Sequence, residues 1–156
     1  MSFKIRLCAL ALTGVMLSAC ATAPPEVRQP MPTSTGRVEV TMTGFENDEG
    51  QVMVALYLDG QGWPGAAEHV FATAMVPIRE ARAIAEFADV PVGPFAVSVY
   101  HDENGNRELD SSMFGIPSER YGFSAGAEGT FGPPSFEEAR VELAAGERKQ
   151  ISIEVK

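Results

Sequence analysis

The run His101-Asp102-Glu103-Asn104-Gly105-Asn106-Arg107-Glu108-Leu109-Asp110 places oxygen-bearing side chains at 102, 104, 106 and 110. Glu108 adds a main-chain carbonyl or its own carboxylate. A hard cation such as calcium takes about six to eight oxygens at about 2.3–2.6 Å, and a looped segment with a donor at every second residue supplies them from one stretch. Asp102, Asn104, Asn106, Glu108 and Asp110 are therefore candidate calcium ligands. Against the EF-hand pattern the match is partial: Arg107 stands at the sixth position, where glycine is expected, and Met113 at the twelfth, where a bidentate acid is expected. The run has the form D-x-N-x-N-x-x-x-D. With so few carboxylates the expected affinity is weak, in the range ~10⁻⁴–10⁻³ M. The same residues also read as a solvated hairpin or Asx turn, for which Asn104-Gly105 is a strong signal. On sequence alone both readings stand.

Three further features bear on chemistry. Gly122-Phe123-Ser124-Ala125-Gly126 matches G-x-S-x-G, but that nucleophile elbow needs a strand before it, a helix after it and a histidine later in the chain. The histidines, His69 and His101, both lie upstream, so a glycine-rich loop explains the residues. Phe114, Tyr121, Phe123, Phe131 and Phe136 sit on a glycine and proline framework. Aromatics so placed either line a shallow ligand site or fold inward as a small core under a long loop. His101 beside Asp102 is a candidate ligand-binding group or general base. Zinc needs about four convergent ligands, which this sequence does not supply.

The elements that must position these residues read as strands. Val38, Val40 and Met42 alternate with polar residues, as do Val52, Val54, Leu56 and Leu58, with Asn47-Asp48-Glu49-Gly50 as a turn between them. Those two runs predict a hairpin. Third and fourth strands are expected at 70–76 and 82–87, although their alanine content also suits helix. After Pro91-Val92-Gly93-Pro94, Phe95, Val97 and Val99 alternate. Two last strands are expected around Ala139, Val141 and Leu143 and around Ile151, Ile153 and Val155. About seven short strands with turns between them predict an all-β fold, a single antiparallel β-sandwich of the immunoglobulin or transthyretin kind. Residues 101–136 form a long glycine- and aromatic-rich loop between the fifth and sixth strands, and a loop of that length is usually functional.

The N-terminus places the domain. Lys4 and Arg6 precede a short apolar stretch from Leu7 to Leu17, which has the layout of a secretory signal and is too short to span a bilayer. Leu17-Ser18-Ala19-Cys20 resembles the lipobox of bacterial lipoproteins. That resemblance implies removal of residues 1–19, lipidation of Cys20 and permanent membrane attachment through several acyl chains. Ala21, in place of aspartate at the second mature position, implies the outer membrane facing the periplasm rather than the inner membrane. Residues 20–35, with Pro24, Pro25, Pro30 and Pro32, read as a tether, and 36–156 as the folded domain. Cys8 leaves with the signal, so no disulfide is expected within the mature chain. The formal charge of −9 becomes more negative once Lys4 and Arg6 are gone, which argues against nucleic acid as a partner.

Residues 36–156 resemble the bacterial family called domain of unknown function 2141. The resemblance is carried by Asp48 to Leu56, Val92 to Val97, His101 to Asn106, Leu109-Asp110, Phe114 to Pro117, Tyr121 to Ser124 and Phe131 to Ala139. Arg107 stands where the resemblance leads one to expect glycine. The family implies an exported β-sandwich similar to transthyretin-like and collagen-binding modules, and implies no reaction. The expected function is a non-enzymatic, monomeric envelope module that binds a protein, a peptide or calcium through 101–136. The alternatives are a metal-assisted periplasmic hydrolase using Asp102 or His101, and a spacer of the envelope.

Overall fold

A computed structural model of the chain describes residues 34–156. The expected signal segment 1–19, the lipidation of Cys20 and nearly all of the tether 20–35 lie outside the described residues.

Eight strands form two sheets. They are β1 (Thr35–Thr43), β2 (Gln51–Tyr57), β3 (Ala72–Val76), β4 (Arg82–Pro91), β5 (Gly93–Asp102), β6 (Tyr121–Phe123), β7 (Val141–Leu143) and β8 (Arg148–Glu154). One sheet has the order β4-β1-β8, and the other runs β3-β2-β5-β6 with β7 also paired to β5. The alternation in β1 turns Val38, Val40 and Met42 inward, and that in β2 turns Val52, Val54 and Leu56 inward. With Ala83, Ala85 and Phe87 of β4, Phe95, Val97 and Val99 of β5, and Ile153 of β8, they form one buried core. The period of two along each strand makes this possible, since it puts all apolar residues of a strand on one face.

The all-β class and the strand positions agree with expectation, while several pairings do not. β1 and β2 do not form a hairpin: β1 pairs with β4 and β8, β2 with β3 and β5. Alternation says which face of a strand is buried but not which strand lies beside it, and here both faces look onto the same core from opposite sheets. The pair β1–β8 is parallel within an otherwise antiparallel set. The alanine-rich segments are strands, with Ala83 and Ala85 filling the core, and one 3-10 turn (Ala67–His69) stands between β2 and β3.

The expected loop 101–136 is not continuous. It contains β6, and its end starts the short helix α1 (Phe136–Ala139), entered through a capping box between Ser135 and Glu138. A strand of three residues with glycine in the middle carries no readable alternation. Gly122 is required there, because a Cβ would lie 2.8 Å from Glu154 O and from Ile153 Cγ2. Tyr121 and Lys156 exchange backbone hydrogen bonds of 3.2 and 3.0 Å, which tie β6 to the chain just after β8 and so join the two sheets along one side.

Candidate functional site

In β5 the inward face continues from Val99 to His101, and the outward face ends in Tyr100 and Asp102. His101 is fully buried. Its ring meets Phe45 edge-on at 5.3 Å, and its Nε2 lies 2.8 Å from the Glu49 carbonyl, which can only accept, so Nε2 carries the proton. Nδ1 has no hydrogen-bond partner and lies 3.7 Å from a Glu103 carboxylate oxygen. This histidine belongs to the core wall.

Asp102 is also fully buried, although it sits on the opposite face. The loop that follows folds back over it. Its Oδ2 accepts from the Gln51 side-chain amide at 2.8 Å and from the Arg107 N–H at 3.1 Å. Its Oδ1 has no hydrogen-bond partner. Burial pushes the carboxyl up, but the Gln51 amide and the N–H groups of Arg107, Gly105 and Asn106 outweigh it and hold the group below the ordinary 3.8. Gln51 faces Asp102 across the β2–β5 ladder. Sequence reasoning passes over it, because the clamp becomes visible only once that register is known.

The structure brings the remaining loop candidates together. Asn104 and Asn106 donate from their amides to the two carboxylate oxygens of Asp110, at 2.6 and 3.1 Å. Their own oxygens accept from the N–H groups of Asn106 and Glu108, at 2.9 and 2.7 Å. The Glu108 side chain is exposed. Arg107 takes the left-handed conformation, φ 66°, that glycine would supply at the sixth position, so the loop closes with arginine there. Tyr100 pins that residue by donating to its carbonyl at 2.7 Å. Glu119 is a second group that sequence reasoning missed. Its carboxylate accepts from the N–H of Glu103 and of Asp110, both at 3.1 Å, and so braces the loop from its far end.

Beyond the loop, residues 110–118 make a narrow finger. Ser111 bridges to Pro117, Ser112 N–H donates to Ile116 O at 2.8 Å, and Ser118 N–H donates to Asp110 O at 2.8 Å. Its tip carries Met113, Phe114 and Ile116 at 95%, 85% and 65% exposure.

The five aromatic candidates do not share one surface. Phe123 and Phe136 are buried with Tyr57, Ala96 and Ala139 in a second small core, centred on Trp63. Trp63 packs on Tyr57, Phe123 and Phe136 at 5.2, 5.6 and 6.0 Å, and its Nε1 donates to Pro134 O at 2.9 Å. Tyr121 leans on Phe123 at 5.7 Å and is partly exposed, while Phe114 and Phe131 stand in solvent. Ser124 of the G-x-S-x-G run is fully buried. Its Oγ accepts from Val97 N–H at 2.9 Å and donates to Ala139 O at 2.5 Å, a structural tie between β5 and α1.

Two shallow hollows of about 150 Å³ adjoin on the β1–β8 side, around Arg37, Glu39, Glu86 and Arg148 and around Thr35, Gly36, Asp89 and Glu147. Neither is lined by a residue of 101–136. Among the described residues no three His, Cys, Asp or Glu side chains converge as a metal set.

No curated protein and no solved structure matches the chain. The match comes instead from a family profile, over residues 40–152, which take in β2 to β7, the carboxylate-anchored loop and the finger. The chain belongs to the bacterial family described as uncharacterized protein conserved in bacteria, domain of unknown function 2141.

Proposed function

We propose that the protein is a lipid-anchored module of the cell envelope, attached through Cys20 to the outer membrane on its periplasmic side. It works as a monomer, by binding an envelope protein or peptide through the segment 101–136. The observation that carries this reading is the finger: three consecutive-region apolar side chains, Met113, Phe114 and Ile116, stand in solvent on a base held by Asp102, Asp110 and Glu119. Covering a large apolar side chain is worth about 1.5–3 kcal/mol, so three on a small finger supply the kind of anchor that dominates an interface. The acidic base below them favours a partner with a basic rim and opposes an anionic lipid surface. A binding or structural role is further supported by the burial of His101 and Asp102 away from the hollows, since catalysis by either group calls for a cleft in which substrate reaches it.

The test is a photo-crosslinking residue placed at 114 in the cell-envelope protein, compared with one at Ile84, which is exposed on β4. A discrete adduct at 114, absent at 84 and lost when Met113 and Ile116 are changed to Ser, is expected. Equal adducts at both positions, or none, would leave a spacer. The anchor is tested separately: Cys20→Ser should move the protein out of the detergent phase and remove its acyl groups.

A further inference from the structure

We infer that the loop 102–110 is a calcium site whose innermost ligand is Asp102 Oδ1. This names a ligand for the segment proposed above as the functional one and rests on that reading only for its biological setting. The observation that points to a cation is the orphaned oxygen. Asp102 is fully buried, and its Oδ1 is without a hydrogen-bond partner. A buried carboxylate oxygen that no donor reaches in hydrogen-bonding geometry is costly, and a bound cation would meet it.

The direction of the carboxylate follows from its other oxygen. Oδ2 is fastened to the Gln51 amide on the strand side and to Arg107 N–H on the loop side, so the group is turned under the loop and not toward open solvent. Oδ1, by contrast, is left without a hydrogen-bond partner. Around the same turn the side chains of Asn104 and Asn106 converge on the Asp110 carboxylate. A cation entering there would turn the two amide oxygens toward itself, displace the amide-to-carboxylate bonds, and take the Asp110 carboxylate directly. Glu108 adds its main-chain carbonyl. Water completes the set of about six to eight oxygens that calcium takes. Arg107 supplies the left-handed turn at the sixth position that a looped calcium site requires.

The donor set selects among metals. It contains no thiolate and no free imidazole, since His101 is turned into the core, so soft and borderline ions are disfavoured. Magnesium is disfavoured by its reluctance to dehydrate and its demand for near-octahedral geometry. With two carboxylates, two amides and one carbonyl the affinity falls at ~10⁻⁴–10⁻³ M, which suits a compartment rich in calcium.

The full chain, in detergent, is titrated with calcium chloride while backbone amide shifts and the melting temperature are followed. Saturable shifts confined to residues 102–110 and Glu119, with a midpoint between ~10⁻⁴ and ~10⁻³ M, are expected, together with a melting temperature raised by a few degrees at about ten times Kd. Asp110→Asn should weaken binding about tenfold or more while melting like the parent in chelator, and Asn106→Asp, which adds a carboxylate, should tighten it. Unsaturated shifts scattered over exposed acids such as Glu137 and Glu142 would overturn the site, as would equal midpoints for calcium and magnesium. An unchanged midpoint in both variants would overturn it too. The crosslink at position 114, read without added calcium, reports on the finger alone, so either proposal can fail without the other.

Discussion

The outer face of the β2–β5 pair is covered at its two ends in opposite ways. At one end Tyr57 and Ala96 lie beneath Trp63, Phe123 and Phe136, a dry cover built from aromatic rings. At the other end Gln51 and Asp102 lie beneath the loop 103–110, a cover built from amides, carboxylates and backbone N–H groups. The dry end gains its stability from area removed from water and from ring packing. The polar end gains its from one buried charge that gathers donors, which fixes geometry tightly but leaves an oxygen unmatched. The apolar finger grows from the polar end, where the fold does not consume its own hydrophobic side chains. The segment 101–136 therefore divides into a half that closes the sandwich and a half that faces outward.

The sharpest way to break this contrast is to attack the dry end. Trp63→Ala removes three ring contacts and the bond to Pro134, and should lower stability by about 3–5 kcal/mol in a chemical-denaturation curve. A loss below about 1 kcal/mol would mean that the aromatic cluster is a surface ornament and not a core. Next in size is Ser124→Ala, which orphans the buried Val97 N–H and removes the tie to Ala139, with an expected cost of about 1–3 kcal/mol. A catalytic serine would instead tolerate this change with little loss of stability.

The polar end is probed by pH. The Asp102 carboxyl is depressed in the folded state, so its contribution is present above the ordinary value of 3.8 and is lost as pH falls through the lower folded value. Melting temperature should thus drop between pH 5 and strongly acidic conditions, and Asp102→Asn should flatten part of that limb. Glu39, Glu46, Glu128, Glu138 and Glu147, each held low by hydrogen-bonding neighbours, keep the remainder. A limb unchanged by Asp102→Asn would separate the loop's structure from that charge. Smallest of all, Phe114→Ser should leave stability within about 0.5 kcal/mol, because its ring stands in solvent. A large destabilisation would place Phe114 in a packed site.

Much of this division is legible in the sequence, to the extent that chemistry is local. The alternation of Val38, Val40 and Met42, or of Phe95, Val97 and Val99, announces strands and their buried faces, and the same parity carries His101 inward. The Asn104-Gly105 turn and the oxygen spacing to Asp110 are likewise written in consecutive residues, and the structure brings Asn104, Asn106 and Asp110 together. What could not be read depends on partners far apart in sequence. Gln51 meets Asp102 through register, Trp63 meets Pro134 across the second core, and β1 meets β8 in parallel. Composition cannot separate Phe123 and Phe136, which are buried, from Phe114 and Phe131, which are not, because all four sit among the same glycines and prolines.

The parallel pairing of β1 with β8 also sets the order in which the domain can be finished. β1 is the middle strand of its sheet, and one of its two neighbours is the last strand of the described chain, with Arg37 beside Arg148 and Thr43 beside Glu154. Until those residues arrive, β1 has one open edge and the core lacks Ile153 and Val155. Loop closure over so long a stretch must be met before its contacts reward it, which slows folding. While β8 is missing, the bare edge of β1 is where another copy of the strand would find a template.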